Sequence, residues 1–352
     1  MAELLDYLKE AVQEQASDIF IIAGGKISIK VAGCIKTISE DRMKAEETQK
    51  LVTEIYELAG RSMELYDRTG DDDFSFAVPQ MARFRVNTYR QRGSYAAVIR
   101  IVPFNIPDWK ESRIPETVMN LADVSFGMVL VSGPADCGKS TTQACIIDRI
   151  NRTREGHIVT LEDPIEYLHR NQRCIISQRE IAIDTKDYLS ALRACLRQAP
   201  DVILLGEMRD PETIQTAITA AETGHLVLAT LHTRGAVNTI DRIIDSFPPA
   251  RQNQIRIQLS QVLHTVVSQQ FLPDKDGRQT PVFEIMRMNS AIRNMIRDNK
   301  NHQIAGAMLS GTAEGMVTMD QAILRLYQEG KITKETALEY ADAPEQMKRR
   351  LM

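Results

Sequence analysis

Eight consecutive residues, Gly133-Pro134-Ala135-Asp136-Cys137-Gly138-Lys139-Ser140, fit the spacing G-x-x-x-x-G-K-[ST], and Thr141 follows them. That spacing suits a loop whose amides wrap phosphate oxygens, with the lysine on the outer phosphates and the hydroxyl offered to magnesium. The chemistry requires a strand entering the loop and a helix leaving it. The apolar run 128–132 and the helix-forming stretch 139–153 predict both. Binding a nucleotide is not cleaving it, because hydrolysis also needs carboxylates for metal and water. Val202-Ile203-Leu204-Leu205-Gly206-Glu207 supplies an apolar strand ending in an acid, and Glu162-Asp163-Pro164-Ile165-Glu166 follows the apolar run 157–161. His232 ends another apolar run, where it could sense a terminal phosphate. Acids after a strand also serve as plain helix caps, and a lone histidine is more often a satisfied core residue. His225 and His232 lie seven apart with no acidic ligand nearby, which does not suggest a metal site.

The elements that must position these residues follow from periodicity. The runs 128–132, 157–161, 202–205 and 226–230 are short and nearly all apolar, as suits strands buried on both faces of a mainly parallel sheet. Helical stretches near 139–153, 186–198 and 211–223 separate them, which predicts an α/β core. In an open parallel sheet ligands collect at the carboxyl ends of the strands, so the loop, both acidic clusters and His232 should meet there. Beyond about residue 250 the pattern reads as entirely helical. Residues 1–102 read as a smaller α+β domain. It has an opening helix, strands at 17–22 and 26–31 turning at Gly24-Gly25, helices near 44–58 and 60–68, and strands at 72–78, 82–90 and 94–102. The stretch 103–116, with Pro103, Pro107, Pro115 and Trp109, is the expected linker to an ATPase domain over 117–352.

Composition narrows the partners. A formal net charge of -4 over 352 residues gives no field that would draw nucleic acid. No apolar run approaches the roughly 18 residues needed to span a bilayer. The opening Met1-Ala2-Glu3-Leu4-Leu5-Asp6 is acidic and amphipathic, not a cationic signal, so a cytoplasmic location is expected. Five cysteines never fall at C-x-x-C spacing and read as free thiols, mostly buried.

Taken in order, the motifs resemble the secretion-ATPase superfamily of type II secretion and type IV pili, and within it the retraction ATPases. Gly133 to Thr142 matches the Walker A motif and Thr160 to Glu166 the Asp box. Pro200 to Asp210 matches Walker B, and Ala220 to His225 running on to Thr233 matches the His box. Ala291-Ile292-Arg293-Asn294-Met295-Ile296-Arg297 resembles a C-terminal segment of retraction ATPases. The resemblance implies a PAS-like first domain, a RecA-like P-loop core, a helical C-terminal region and a homo-hexameric ring using ATP and Mg2+. It implies Glu166 as the base that activates water and Glu207 as support for magnesium through its water shell, beside Ser140. Glu162 and Asp163 would order the site, and His232 would couple it to domain movement. Arg83, Arg85 and Arg100 become the candidates for charge-stabilising fingers. An inner-membrane pilus platform protein and a related accessory ATPase are the implied partners, at the inner face of the cytoplasmic membrane. Assembly ATPases of the superfamily usually add an N-terminal domain and a tetracysteine zinc insertion. Neither is read here, so retraction is the expectation over assembly, with a catalytically weak structural ring subunit as the rival. Two departures stand out. Ala135-Asp136-Cys137 replaces the usual Thr-Gly-Ser, and Ser17-Asp18-Ile19-Phe20 lacks the histidine usual at its fourth position.

Overall fold

The computed structural model describes residues 2–31, 33–79, 81–102 and 106–351. Its contacts divide the chain into two compact units, Met1–Asn105 with Glu166–Leu168, and Ile106–Ile165 with His169–Met352.

The first unit is a six-stranded sheet in the order β3-β2-β1-β6-β5-β4. Its strands are β1 (Asp18–Ile22), β2 (Ser28–Val31), β3 (Cys34–Thr37), β4 (Asp71–Val78), β5 (Ala82–Gln91) and β6 (Ser94–Val102). Every pairing is antiparallel. Burial alternates along β5, with Ala82, Phe84, Val86 and Thr88 inside and Arg83, Arg85 and Asn87 on the other face. Phe84, Ile19 and Ile99 pack with Leu8, Leu51 and Ile55, which come from the helices Ala2–Gln13 and Ala45–Ala59. Each such side chain stabilises the unit by roughly 1.5–3 kcal/mol relative to exposure. Thus the strand period of two sets the arginines on the face away from the core.

The second unit carries a seven-stranded sheet in the order β13-β12-β7-β11-β10-β8-β9. These are β7 (Gly127–Ser132), β8 (Gly156–Glu162), β9 (Cys174–Glu180), β10 (Val202–Leu205), β11 (Leu226–Leu231), β12 (Leu263–Pro273) and β13 (Gln279–Arg287). All pairings are parallel except β12 with β13. Two hydrophobic clusters cover the two faces. Met128, Leu130, Ile203 and Leu205 point into one, while Val129, Val202 and Leu204 point into the other. Double burial is why these strands read as unbroken apolar runs, and the mixed α/β fold has the parallel sheet that they predict.

One expectation needs correction. The chain beyond 250 is not entirely helical, because β12 and β13 form a hairpin that extends the sheet. Leu263 to Leu272 carries Thr265, Val266, Val267 and Phe271, which favour a pleated strand, but the buried Ser268, Gln269 and Gln270 interrupt the apolar signal. Pro281 is accommodated because β13 is an edge strand. From Ser290 onward the chain is helical, through Ser290–Arg297, Ile304–Ser310, Met319–Gln328, Lys334–Tyr340 and Pro344–Arg350. Of the stretch 103–116, residues 103–105 lie outside the described residues, as does Met1 of the opening helix. Ile106, Trp109 and Ile114 pack on the core of the second unit. Cys137, Cys145, Cys174 and Cys195 are buried free thiols and Cys34 is exposed. Among the described residues, no helix is long and apolar enough to cross a membrane.

Candidate functional site

The chain leaves β7 at Ser132, wraps through 133–138 and enters the helix Lys139–Thr153. Three residues make that wrap possible by taking positive φ: Gly133 at 148°, Asp136 at 57° and Gly138 at 86°. A Cβ on Gly133 would sit 2.1 Å from the Gln269 carbonyl oxygen, so only glycine fits beside β12. Asp136 occupies the left-handed region that aspartate tolerates, with its side chain exposed. Lys139 is 7% exposed and its ammonium donates to the carbonyls of Gly133 at 3.1 Å and Pro134 at 2.5 Å. Ser140 and Thr141 follow in the first turn of the helix, whose amino end favours anions. Beside Thr141 and Thr142 lies a cavity of about 310 Å³, lined also by Gly138, Phe271, Arg113 and Arg278.

The parallel register gathers the other motifs. In the sheet β7, β11, β10 and β8 are successive neighbours, and Ser132 pairs with Leu231 while Leu205 pairs with Ala229 and Leu161. The phosphate loop, His232, Gly206-Glu207 and Glu162-Asp163 therefore leave the sheet along one carboxyl edge.

Contacts at that edge are specific. The Glu207 carboxylate, 7% exposed, pairs with the Arg209 guanidinium at 2.7 Å, and His232 Nε2 lies 3.6 Å from the same oxygen. Thr230 on β11 donates its hydroxyl to the Gly206 carbonyl, and the Met208 amide donates back to Thr230 at 3.2 Å. Glu162 accepts from the Thr160 hydroxyl at 2.6 Å and from the Gln178 amide on β9 at 3.3 Å. A Cβ on Gly206 would meet Tyr188 Oη at 2.7 Å and Glu162 Cα at 3.3 Å, so glycine lets the two acidic strand ends close together. Burial, then the carboxylates of Glu207, Asp163 and Glu162, push the Tyr188 phenol far above its ordinary range. It therefore stays protonated. Glu166 is exposed, two residues past the cis Asp163–Pro164 peptide.

In the first unit, Arg83 donates to Ser75 Oγ at 2.5 Å. Arg85 stands directly across from Arg100, and Arg100 pairs with Asp18 at 3.1 Å. All three arginines lie on the coreless face of that sheet. Among the described residues no group of three or more His, Cys, Asp or Glu could hold a metal by itself. The hard oxygens of Ser140 and Glu207 do suit magnesium shared with a nucleotide, an ion that keeps several waters and takes few protein ligands. Two residues at the site escaped sequence reasoning. Tyr188 opens a helix capped by Asp187, and Gln269 arrives on a strand far along the chain.

Residues 2–333 match the family model described as type II/IV secretion system protein. A twitching motility protein of Neisseria gonorrhoeae is 42% identical over 345 residues, covering 98% of this chain and 92% of its own. The type IV pilus retraction ATPase PilT of Pseudomonas aeruginosa is 40% identical over 343 residues, covering 97% and 99%. Among solved structures, the pilus retraction motor PilT with bound ADP superposes with a TM-score of 0.90 at 44% identity, covering 98% of each chain. The DotB ATPase of Legionella pneumophila gives 0.79 at 25% identity, covering 95% and 94%.

Proposed function

This chain belongs to the type II/IV secretion system protein family, and from that premise we propose that it is the ATP-driven motor of type IV pilus retraction. The observation that carries the proposal is the single carboxyl edge from which the phosphate loop, both acidic clusters and His232 emerge. ATP binds with its phosphates in loop 133–138, capped by Lys139, Ser140 and Thr141. Its nucleoside enters the cavity beside Phe271. Magnesium, held by Ser140 and by Glu207 through water, would neutralise charge on the outer phosphates. Glu166 takes the proton from the attacking water, and Glu162 with Asp163 orders the edge. His232 lies 3.6 Å from the Glu207 oxygen that pairs with Arg209, so a change at the terminal phosphate is passed to the His-box loop through that contact. The working form is a homo-hexamer in the cytoplasm, docked on an inner-membrane platform protein. A second ATPase acts beside it, of the kind represented by the Pseudomonas aeruginosa type IV pilus ATPase PilU, which is 38% identical over 337 residues.

The test has two arms. The purified chain should hydrolyse ATP only with magnesium and sediment as a hexamer, while Lys139→Ala abolishes turnover. In a bacterium lacking its own retraction ATPase, the chain should restore pilus withdrawal and Lys139→Ala should not. Turnover without withdrawal would reject the retraction assignment while keeping the ATPase.

The rival reading, a catalytically weak structural ring subunit, draws on Asp136, which puts a carboxylate into the phosphate loop. The loop closes with that residue in the left-handed region and its carboxylate exposed, so the substitution does not break the cradle. An exposed charge near phosphate is screened yet still repulsive. Asp136→Gly is therefore expected to tighten nucleotide binding by about two- to tenfold, mainly through slower dissociation. Stopped-flow release of a fluorescent nucleotide decides it. An inactive wild type rescued by this one change would revive the structural subunit.

A further inference from the structure

The geometry points to Gln269 as a positioning residue that aims the phosphate loop, a role that rests on the nucleotide assignment above. β12 runs beside β7 as far as the pair Ser132–Ser268 and then continues where β7 turns into the loop. Gln269 is therefore the first β12 residue to face the loop itself. It is 2% exposed, and both functions of its amide are used. Nε2 donates to the Cys137 carbonyl at the loop's crown, and Oε1 accepts from the Thr142 hydroxyl in the first helical turn at 2.8 Å. A carbonyl can only accept, so the amide's orientation is chemically fixed.

The consequence lies one peptide further on. A trans peptide is planar, so its carbonyl and N–H point in opposite directions. Holding the Cys137 carbonyl toward β12 turns the Gly138 N–H away from β12, toward the hollow of the loop that Lys139 caps. The close fit of Gly133 against the Gln269 backbone fixes the root of the same loop. Gln269 thus orients an anion-binding amide without touching the anion. Its neighbours Cys137 and Thr142 lie 132 and 127 residues away in sequence.

The experiment compares ADP affinity, by equilibrium titration of the full chain, for wild type, Gln269→Leu and Gln269→Glu. Gln269→Leu leaves the Cys137 carbonyl unpaired, and about 10- to 100-fold weaker ADP binding is expected. Gln269→Glu is nearly isosteric but faces that carbonyl with an acceptor when ionised, and should lose affinity similarly near pH 8. Protonation restores a donor, so its deficit relative to wild type should shrink by about tenfold on going to pH 5.5, while that of Gln269→Leu should not. A purely structural role would show the same rescue in the unfolding midpoint, whereas a positioning role leaves the midpoint in place. Unfolding midpoints without nucleotide are measured in parallel. If wild type fails to bind ADP, the nucleotide assignment itself is overturned. If wild type binds and both variants match it within about twofold, only the role of Gln269 falls. A pH-independent deficit, or one that tracks a lowered midpoint, also overturns it.

Discussion

Glu166→Gln is expected to bind ATP normally and to lose about 100- to 10,000-fold in steady-state turnover. The amide keeps the size and hydrogen-bonding reach of the side chain but cannot accept the proton of an attacking water. Two acids at the edge, Glu207 and Glu162, are engaged elsewhere. Glu207 is buried in an ion pair with Arg209 at 2.7 Å, with His232 against the same oxygen, and Glu162 accepts from Thr160 and Gln178. Glu166 is exposed, so its oxygens can meet a bound water. The expected signature is a trapped ATP-bound state, seen as unhydrolysed nucleotide retained through gel filtration. Glu207→Gln should differ. It removes charge near the magnesium, so its loss of turnover should deepen at low magnesium and recover in part at high magnesium. Wild-type turnover by Glu166→Gln would remove it as the base. A larger loss from Glu162→Gln with binding intact would transfer the role there.

Much of this edge is legible in sequence because each piece is local. A strand, a glycine-rich turn and a helix start are contiguous, and so is an apolar strand ending in an acid. The sheet's parallel order then needs only the alternation of strands and helices. The hairpin β12–β13 is not local in that sense. Its buried polar residues are satisfied by distant partners: Ser268 by the Gly235 amide at 2.9 Å, and Gln269 by Cys137 and Thr142. Without those partners in view, the polar residues break the strand signal and the segment reads as helix. Tyr188 was hidden for the same reason. A tyrosine at a helix start carries no spacing signature, and only the fold shows its hydroxyl packed beside Gly206 at the acidic strand ends. The left-handed backbone at Asp136 was foreshadowed, since a position usually held by glycine predicts positive φ. The direction of its side chain needed the fold.

Replacing Arg83, Arg85 and Arg100 together by Gln is expected to lower turnover on the order of 1,000-fold while leaving nucleotide binding in place. These three guanidiniums crowd one sheet face, with Arg85 directly across from Arg100. Like charges opposite one another are destabilising in a sheet, and Asp18 pairs with Arg100 at 3.1 Å. A cluster of like charges that lies away from the core is suited to meeting an anion, and unfolding midpoints measured in parallel separate lost turnover from lost folding. We take that anion to be the terminal phosphate bound by a neighbouring copy in the proposed ring. Subunits carrying Lys139→Ala have intact arginines, and the triple variant has an intact phosphate loop. Each alone should be inactive. Mixed at equal amounts in a head-to-tail ring, roughly a quarter of the interfaces would join a good loop to good arginines, and activity should reappear in proportion. If the arginines served the loop of their own chain, no mixture could contain a complete site. Hexamers shown by mass to be mixed, yet still inactive, would exclude the shared site.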